Sequence, residues 1–274
     1  MKDRRRIIVI VIVILCFLTC LMGTICLFRY YQPAAEQIPY EIRHKRDGDT
    51  IRVLFWGDSW AAYHQEHDNQ LERMVQAETG QHCRVKSIGM VGAKSKTIYN
   101  SLFEYRQEIT QFSPDYCVIS SGINDAVAKM GVEYYTRNYL LLLQFLLSEG
   151  IVPVVLDMPD IDYTYIFKNE SLLSNLRHLL SAGITKSSLF HFNDYRKGLK
   201  ELISVNHMEK SIIYIDAPAW MPKQENDKRT LFCSDRVHLN TIGYKRLDSC
   251  ISTHLRLKPL LNRQSTSYPG RDRE

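Results

Sequence analysis

Five short apolar runs, at residues 51–56, 83–88, 116–120, 152–157 and 212–216, alternate with longer stretches of helical periodicity. A strand that is apolar along its whole length has to be covered on both faces. Such strands, separated by helices, imply a parallel sheet between two helical layers. The helical patterns lie at 69–79, 96–112, 133–148, 172–180, 195–205 and 241–257. Five strands of this kind fit an α/β fold, a flavodoxin-like doubly wound five-stranded parallel sheet, whose ligands bind beyond the carboxyl ends of the strands. Residues 51–257 are ample for one hydrophobic core, and they show neither an internal repeat nor a second domain.

The N-terminal part follows a different rule. Residues 7–28 form 22 positions without a charge, about 33 Å of helix, enough to cross a bilayer. A cleaved signal peptide has an apolar core of about 7–15 residues, so this run reads as an uncleaved transmembrane helix that would take the lipid bilayer as a partner. The basic tip at 1–6, with Lys2, Arg4, Arg5 and Arg6, argues for the N-terminus inside and an extracytoplasmic domain, periplasmic or at the cell surface. Arg29, Arg43, Lys45 and Arg46 on the other side blunt that asymmetry. Residues 29–50, polar with Pro33 and Pro39, read as a stalk, and 258–274, with Pro269 and Gly270, as a flexible tail.

The formal charge of +5 is made partly by the arginine-rich tip, and no Lys/Arg stripe is interleaved with aromatics, so no nucleic-acid partner is expected. Cys83, Cys117, Cys233 and Cys250 show no C-x-x-C spacing and no metal-like cluster. Cys83 and Cys117 read as buried small hydrophobes, whereas Cys233 and Cys250 could pair in an oxidising compartment. Neither a metal nor a cofactor is expected. The stretch from Gly89 to Ser95 misses the phosphate-loop spacing, which needs four residues between its glycines and a lysine directly after the second.

The candidate chemistry clusters where strands end. Ser59, in Gly57-Asp58-Ser59-Trp60, follows the first strand, where a hydroxyl would stand at the rim of the sheet. A serine hydroxyl needs a neighbouring base before it becomes a useful nucleophile. Asp235 and His238, three residues apart after the last strand, supply one: the carboxylate can orient the imidazole while its other nitrogen faces the serine. Asn124, in Gly122-Ile123-Asn124-Asp125 after the third strand, can donate to a developing oxyanion, as can a bare N–H at Gly89 after the second. His64 and His67 are close enough in sequence to line the Ser59 pocket, and His82, His178, His191 and His207 read as surface or packing residues. Asp157 and Asp160 end the fourth strand, but Pro159 between them suggests a rigid loop rather than a glycosidase pair.

These four blocks, in this order, resemble the SGNH hydrolase superfamily of GDSL esterases and lipases. Gly57-Asp58-Ser59, Gly89, Gly122-Ile123-Asn124-Asp125 and Asp235-Arg236-Val237-His238 match, and Leu239-Asn240-Thr241-Ile242-Gly243-Tyr244 is similar to the stretch that follows the histidine. The resemblance covers about 51–257 and implies the SGNH hydrolase fold. It also implies Ser59 as nucleophile, His238 as general base and Asp235 as its partner, with an oxyanion hole from Ser59, Gly89 and Asn124. Trp60 stands where leucine is usual, and Ser87 where many members carry asparagine. The expected activity is a membrane-anchored serine esterase removing O-acetyl or other short acyl groups from a cell-envelope carbohydrate through an acyl-serine intermediate. An O-acetyltransferase using the same triad, and a catalytically inactive glycan-binding domain, stay open as alternatives. A lipase is not expected, because no extra apolar lid segment stands out.

Overall fold

The structure is a computed structural model that describes residues 2–30, 40–42, 50–189 and 192–257. Most of the expected stalk, the whole tail at 258–274 and His191 lie outside the described residues.

Helix α1, Lys2–Tyr30, contains the long apolar run. Its stretch Arg4–Ile25 has a mean hydropathy of 3.0 and no buried residue, although α1 touches α9. Strand β1, Thr50–Gly57, is followed by α2, Ser59–His64, and α3, Asp68–Thr79. Next come β2, His82–Gly89, the helix pair α4, Ser95–Glu104, and α5, Arg106–Phe112, and β3, Tyr116–Ser120. Helices α6, Ile123–Val127, and α7, Val132–Ser148, lead to β4, Val152–Leu156. Three helices then follow, α8, Tyr163–Asn169, α9, Leu172–Thr185, and α10, Asn193–Val205, before the short β5, Ile213–Ile215. The described chain ends with α11, Glu225–Arg229, and α12, Thr241–Leu257.

All strand pairs are parallel, in the order β2-β1-β3-β4-β5. This is the flavodoxin-like doubly wound sheet that the apolar runs call for. The central strands are buried along almost their whole length: Val53 to Trp56, Tyr116 to Ile119 and Val154 to Leu156 leave next to no surface. Edge strand β2 alternates instead, with Arg84 exposed between buried Cys83 and Val85. One helical layer joins α3, through Leu71 and Val75, to α12, through Leu247 and Ile251. The other joins α7 to α4 and α10, with Ile98, Leu142, Leu146 and Leu199 fully buried. The single helix expected at 96–112 is two, broken at Tyr105, whose ring meets the edge of Trp56 at 5.7 Å between centroids.

Cys83 and Cys117 are buried, as their apolar surroundings predict. Cys233 and Cys250 are free: the Cys233 thiol reaches the Leu239 carbonyl at 3.5 Å, and Cys250 lies beside His254.

Registers align Gly57 with Gly89 and with Ser120, so three strands end at one level and build a common rim. Gly89 is there because nothing larger fits. A Cβ on it would stand 2.0 Å from the Ala62 nitrogen and 2.4 Å from the Asp58 carbonyl oxygen, both rigid backbone of α2. Gly89→Ala is therefore expected to push α2 off the sheet, lowering stability by about 1–3 kcal/mol and activity with it. A near-ultraviolet circular dichroism melt of the full chain in detergent checks this, and an unchanged midpoint would contradict the close approach.

Candidate active site

Strand β1 runs into α2 through Asp58, whose carboxylate accepts the Trp60 N–H at 3.0 Å and so caps the helix. The Asp58 N–H donates to the Ser120 carbonyl at 3.1 Å, which pins the turn to β3. Ser59 is thereby the first residue of α2, at the positive end of the helix.

The partner comes from 179 residues downstream. His238 Nε2 lies 2.9 Å from Ser59 Oγ, and His238 Nδ1 lies 2.6 Å from Asp235 Oδ2. With Nδ1–H donated to the carboxylate, the Nε2 lone pair faces the hydroxyl proton. Asp235 is itself held in place, because its other oxygen accepts the backbone N–H groups of Val237 at 2.9 Å and His238 at 3.0 Å. Partial burial opposes ionisation of Asp235, but these bonds, the His238 ring first, hold its carboxyl below the usual carboxylate range. The loop closes on itself through a Phe232–Leu239 bridge and the Cys233 N–H to His238 carbonyl bond at 2.7 Å.

A cleft of about 210 Å³ opens over the serine, lined by Ser59, Trp60, Val91, Gly92, Ile123, Asn124, Val237 and His238, with Asp58 and Asp235 at its margin. Asn124 reaches it because Gly122 turns the chain sharply after β3, at a φ of 120°. A Cβ on Gly122 would also meet Met158 at 2.6 Å and the Tyr135 ring at 2.9 Å. Asp125, the next residue, is fully buried and accepts the Ser95 N–H at 2.9 Å and its hydroxyl at 2.6 Å, tying α6 to α4. Burial raises its carboxyl to about 6. Gly89, expected to donate to the oxyanion, does not line the cleft: it is packed against the backbone of α2, and on that side the cleft is lined by Val91 and Gly92.

The remaining sequence candidates lie away from this cleft. His64 does not line the pocket: it is fully buried, with Nε2 2.9 Å from Asp248 Oδ1 and Nδ1 2.8 Å from Ser87 Oγ. His67 stacks on Tyr244 instead, at 4.6 Å. His178 is a packing residue, buried beside Glu170 at 2.9 Å. Asp157 and Asp160 line a separate hollow with Arg196, Lys200 and Asp216, where Asp160 pairs with Arg196. Among the described residues, no group of three His, Cys, Asp or Glu is placed to hold a metal ion.

Several residues that shape the site carry no motif. Tyr63 sets its ring edge-on against His238 at 4.9 Å. The Trp60 indole N–H donates to the Val237 carbonyl at 3.1 Å, and the Tyr244 hydroxyl donates to the Trp60 carbonyl at 2.9 Å. Arg236 adopts a φ of 59°, pairs with Asp162 at 2.5 Å and covers the Tyr165 ring. Of these, only Trp60 carried a visible signal in the sequence, a tryptophan directly after Ser59.

The profile of the GDSL-like lipase/acylhydrolase family matches residues 55–246. A search of curated protein sequences gave no match. Solved structures share the fold at low identity. A lipase/acylhydrolase from Enterococcus faecalis is 18% identical with a TM-score of 0.56, covering 75% of this chain and 95% of that one. An acetyl xylan esterase is 20% identical with a TM-score of 0.52, covering 73% and 98%. A lipase from a goat rumen metagenome is 14% identical with a TM-score of 0.53, covering 77% and 100%.

Two outcomes are expected from this geometry. Trp60→Leu leaves the Val237 carbonyl without its donor, so kcat on an aryl acetate should fall about tenfold with KM little changed. Equal kcat values would show that the indole does not hold the histidine loop. Asp58 is buried enough that its carboxyl is raised from 3.8 to about 7. The folded state then binds this proton more tightly than the unfolded chain. The resulting stabilisation is complete below pH 4 and is lost as pH rises towards 7. Asp58→Asn should therefore match the parent at pH 4 and exceed it by up to roughly 4 kcal/mol above pH 7. Parallel melts across that range test the sign.

Proposed function

The chain belongs to the GDSL-like lipase/acylhydrolase family of ester-hydrolysing enzymes, and from that premise we propose a membrane-anchored serine esterase that removes short acyl groups from a carbohydrate. The observation that carries this is the continuous relay from Ser59 Oγ to His238 to Asp235, at 2.9 Å and 2.6 Å. His238 Nε2 takes the Ser59 proton as Oγ bonds to the ester carbonyl carbon. The electron pair displaced onto the carbonyl oxygen is met by the Asn124 amide and the Ser59 N–H. Collapse of the tetrahedral species breaks the bond to the alcohol, which leaves with the proton from His238. Water, deprotonated by the same nitrogen, then attacks the acyl-serine and releases the acid and free Ser59.

The short acyl chain rests on the cleft, whose roughly 210 Å³ and flanking Val91 and Ile123 suit a few carbons rather than a long chain. A carbohydrate carrier is supported by the shared fold with an acetyl xylan esterase. Anchoring rests on α1, whose apolar stretch is long enough to cross a bilayer. The basic residues Arg4, Arg5 and Arg6 before that stretch favour an extracytoplasmic catalytic domain.

For the full chain in detergent, p-nitrophenyl acetate turnover should exceed octanoate turnover, and Ser59→Ala should lose at least about 10⁴-fold in kcat. Comparable rates for the serine variant and its parent would exclude the relay. With an acetylated glycan as substrate, free acetate is the expected product. Acetyl transfer to an added glycan without acetate release would replace hydrolysis by transferase chemistry.

A further inference from the structure

Covering the sheet between β4 and β5 takes one helix, and α10 does it by burying Tyr195, Leu199 and Ile203. Helices α8 and α9 are additional. Along α9 only His178 and Ala182 are buried, while Leu172, Leu173, Leu176, Leu179 and Ile184 are 87%, 65%, 47%, 46% and 51% exposed. Positions 172, 173, 176 and 179 fall on one helical stripe, so the leucines form a continuous apolar face rather than scattered contacts. The exposed cations Lys168 and Lys186 stand just before and just after the helix.

The chain also limits how far this face can be from a membrane. Tyr40 is docked on the domain: its hydroxyl donates to the Leu102 carbonyl at 2.7 Å, and its ring lies against Phe103 and Phe145. Ten residue steps separate it from Tyr30 at the end of α1, a reach of at most about 36 Å. A domain of this size is roughly 40 Å across. The tether thus limits the gap between the domain and the surface that α1 enters, and α1 itself touches α9, which puts the α9 side of the domain next to the membrane helix.

We propose that the leucine face of α9 seats in the interfacial layer of the bilayer crossed by α1, an inference that rests on the anchoring reading above. Leucines would enter the acyl-chain boundary while Lys168 and Lys186 meet anionic headgroups, the division of labour of an interfacial helix. A second copy fits the face less well, because an antiparallel pair of α9 helices would bring Lys168 of one against Lys186 of the other. The consequence reaches the active site. Asp162, which caps α8, pairs with Arg236 of the histidine loop, and α9 is joined to the end of α6 by the bond from Thr185 Oγ1 to the Lys129 carbonyl. Seating α9 on lipid therefore holds the Ser59 cleft beside the membrane surface, so its substrate is an ester carried on a molecule lying at that surface.

The test uses the full chain reconstituted in phosphatidylcholine–phosphatidylglycerol vesicles, with Leu176→Trp and, separately, Leu179→Trp. The native Trp56, Trp60 and Trp220 are buried and give a constant background. Unchanged p-nitrophenyl acetate turnover shows that each variant is folded. The added tryptophan should be quenched several-fold more by brominated acyl chains than by aqueous acrylamide. Quenching by acrylamide alone, or by neither agent as a second copy would cause, overturns the proposal. Carbonate washing separates the two readings. Protein retained in the vesicles with a water-exposed tryptophan refutes only the docking of α9, whereas protein released from them refutes anchoring itself.

Discussion

A six-residue helix and a loop 179 residues away have to meet within hydrogen-bonding distance for Ser59 and His238 to act together. An isolated helix as short as α2 has no stability of its own, so its position is set by what grips it. Three grips come from the C-terminal part of the chain. The Trp60 indole holds the Val237 carbonyl, the Tyr244 hydroxyl holds the Trp60 carbonyl, and His64 holds Asp248. The first acts on the histidine loop and the other two on α12, which begins three residues after His238. Ser59 and His238 are placed by a shared set of contacts, and the distance between them is a by-product of that packing.

The His64 contact is the most costly of the three to build. His64 and Asp248 are both completely buried, and Asp68 and Ser87 complete the histidine's surroundings, Ser87 also donating to Asp68 at 2.5 Å. Gln70 donates to the second Asp248 oxygen at 2.7 Å. Burial opposes protonation of His64, but the two carboxylates outweigh it and raise its pKa above the ordinary histidine value. A buried ion pair adds little net stability compared with apolar packing, yet it tolerates no substitute geometry. Here it joins α2, the start of α3, β2 and α12 at one point, so its value lies in specifying which arrangement forms. The serine at position 87 has its place in this network, bonded to both His64 and Asp68.

What could be read from the sequence divides along physical lines. The sheet was legible because a strand buried on both faces must be apolar throughout, and β1, β3 and β4 are. Ser59, Asp235 and His238 were legible because a relay needs particular residue types at strand ends, and Asp235 and His238 are near in sequence. The short helices α2, α6 and α8 were not, since five to seven residues carry too little periodicity to distinguish them from turns. His64 was misplaced for a related reason: nearness to Ser59 along the chain says nothing about the face of α2 on which a side chain lies, and five residues bring His64 round to α12. The roles of Arg236 and Tyr63 depend on partners far away or on ring geometry, which no local pattern encodes.

The same burial that builds the rim also sets its charge. Asp58 lies directly before the nucleophile and Asp125 directly after Asn124, so each stands next to a group that would meet the developing oxyanion. Two ionised carboxylates there would oppose the negative charge that the donors are meant to stabilise. Removal from water lifts Asp58 to about 7 and Asp125 to about 6, while each keeps the hydrogen bonds that organise its turn. Their structural work therefore does not depend on full ionisation. Near neutral pH this relieves the charge at the β1 turn, where Asp58 is close to half-protonated, whereas Asp125 at the β3 turn keeps most of its charge.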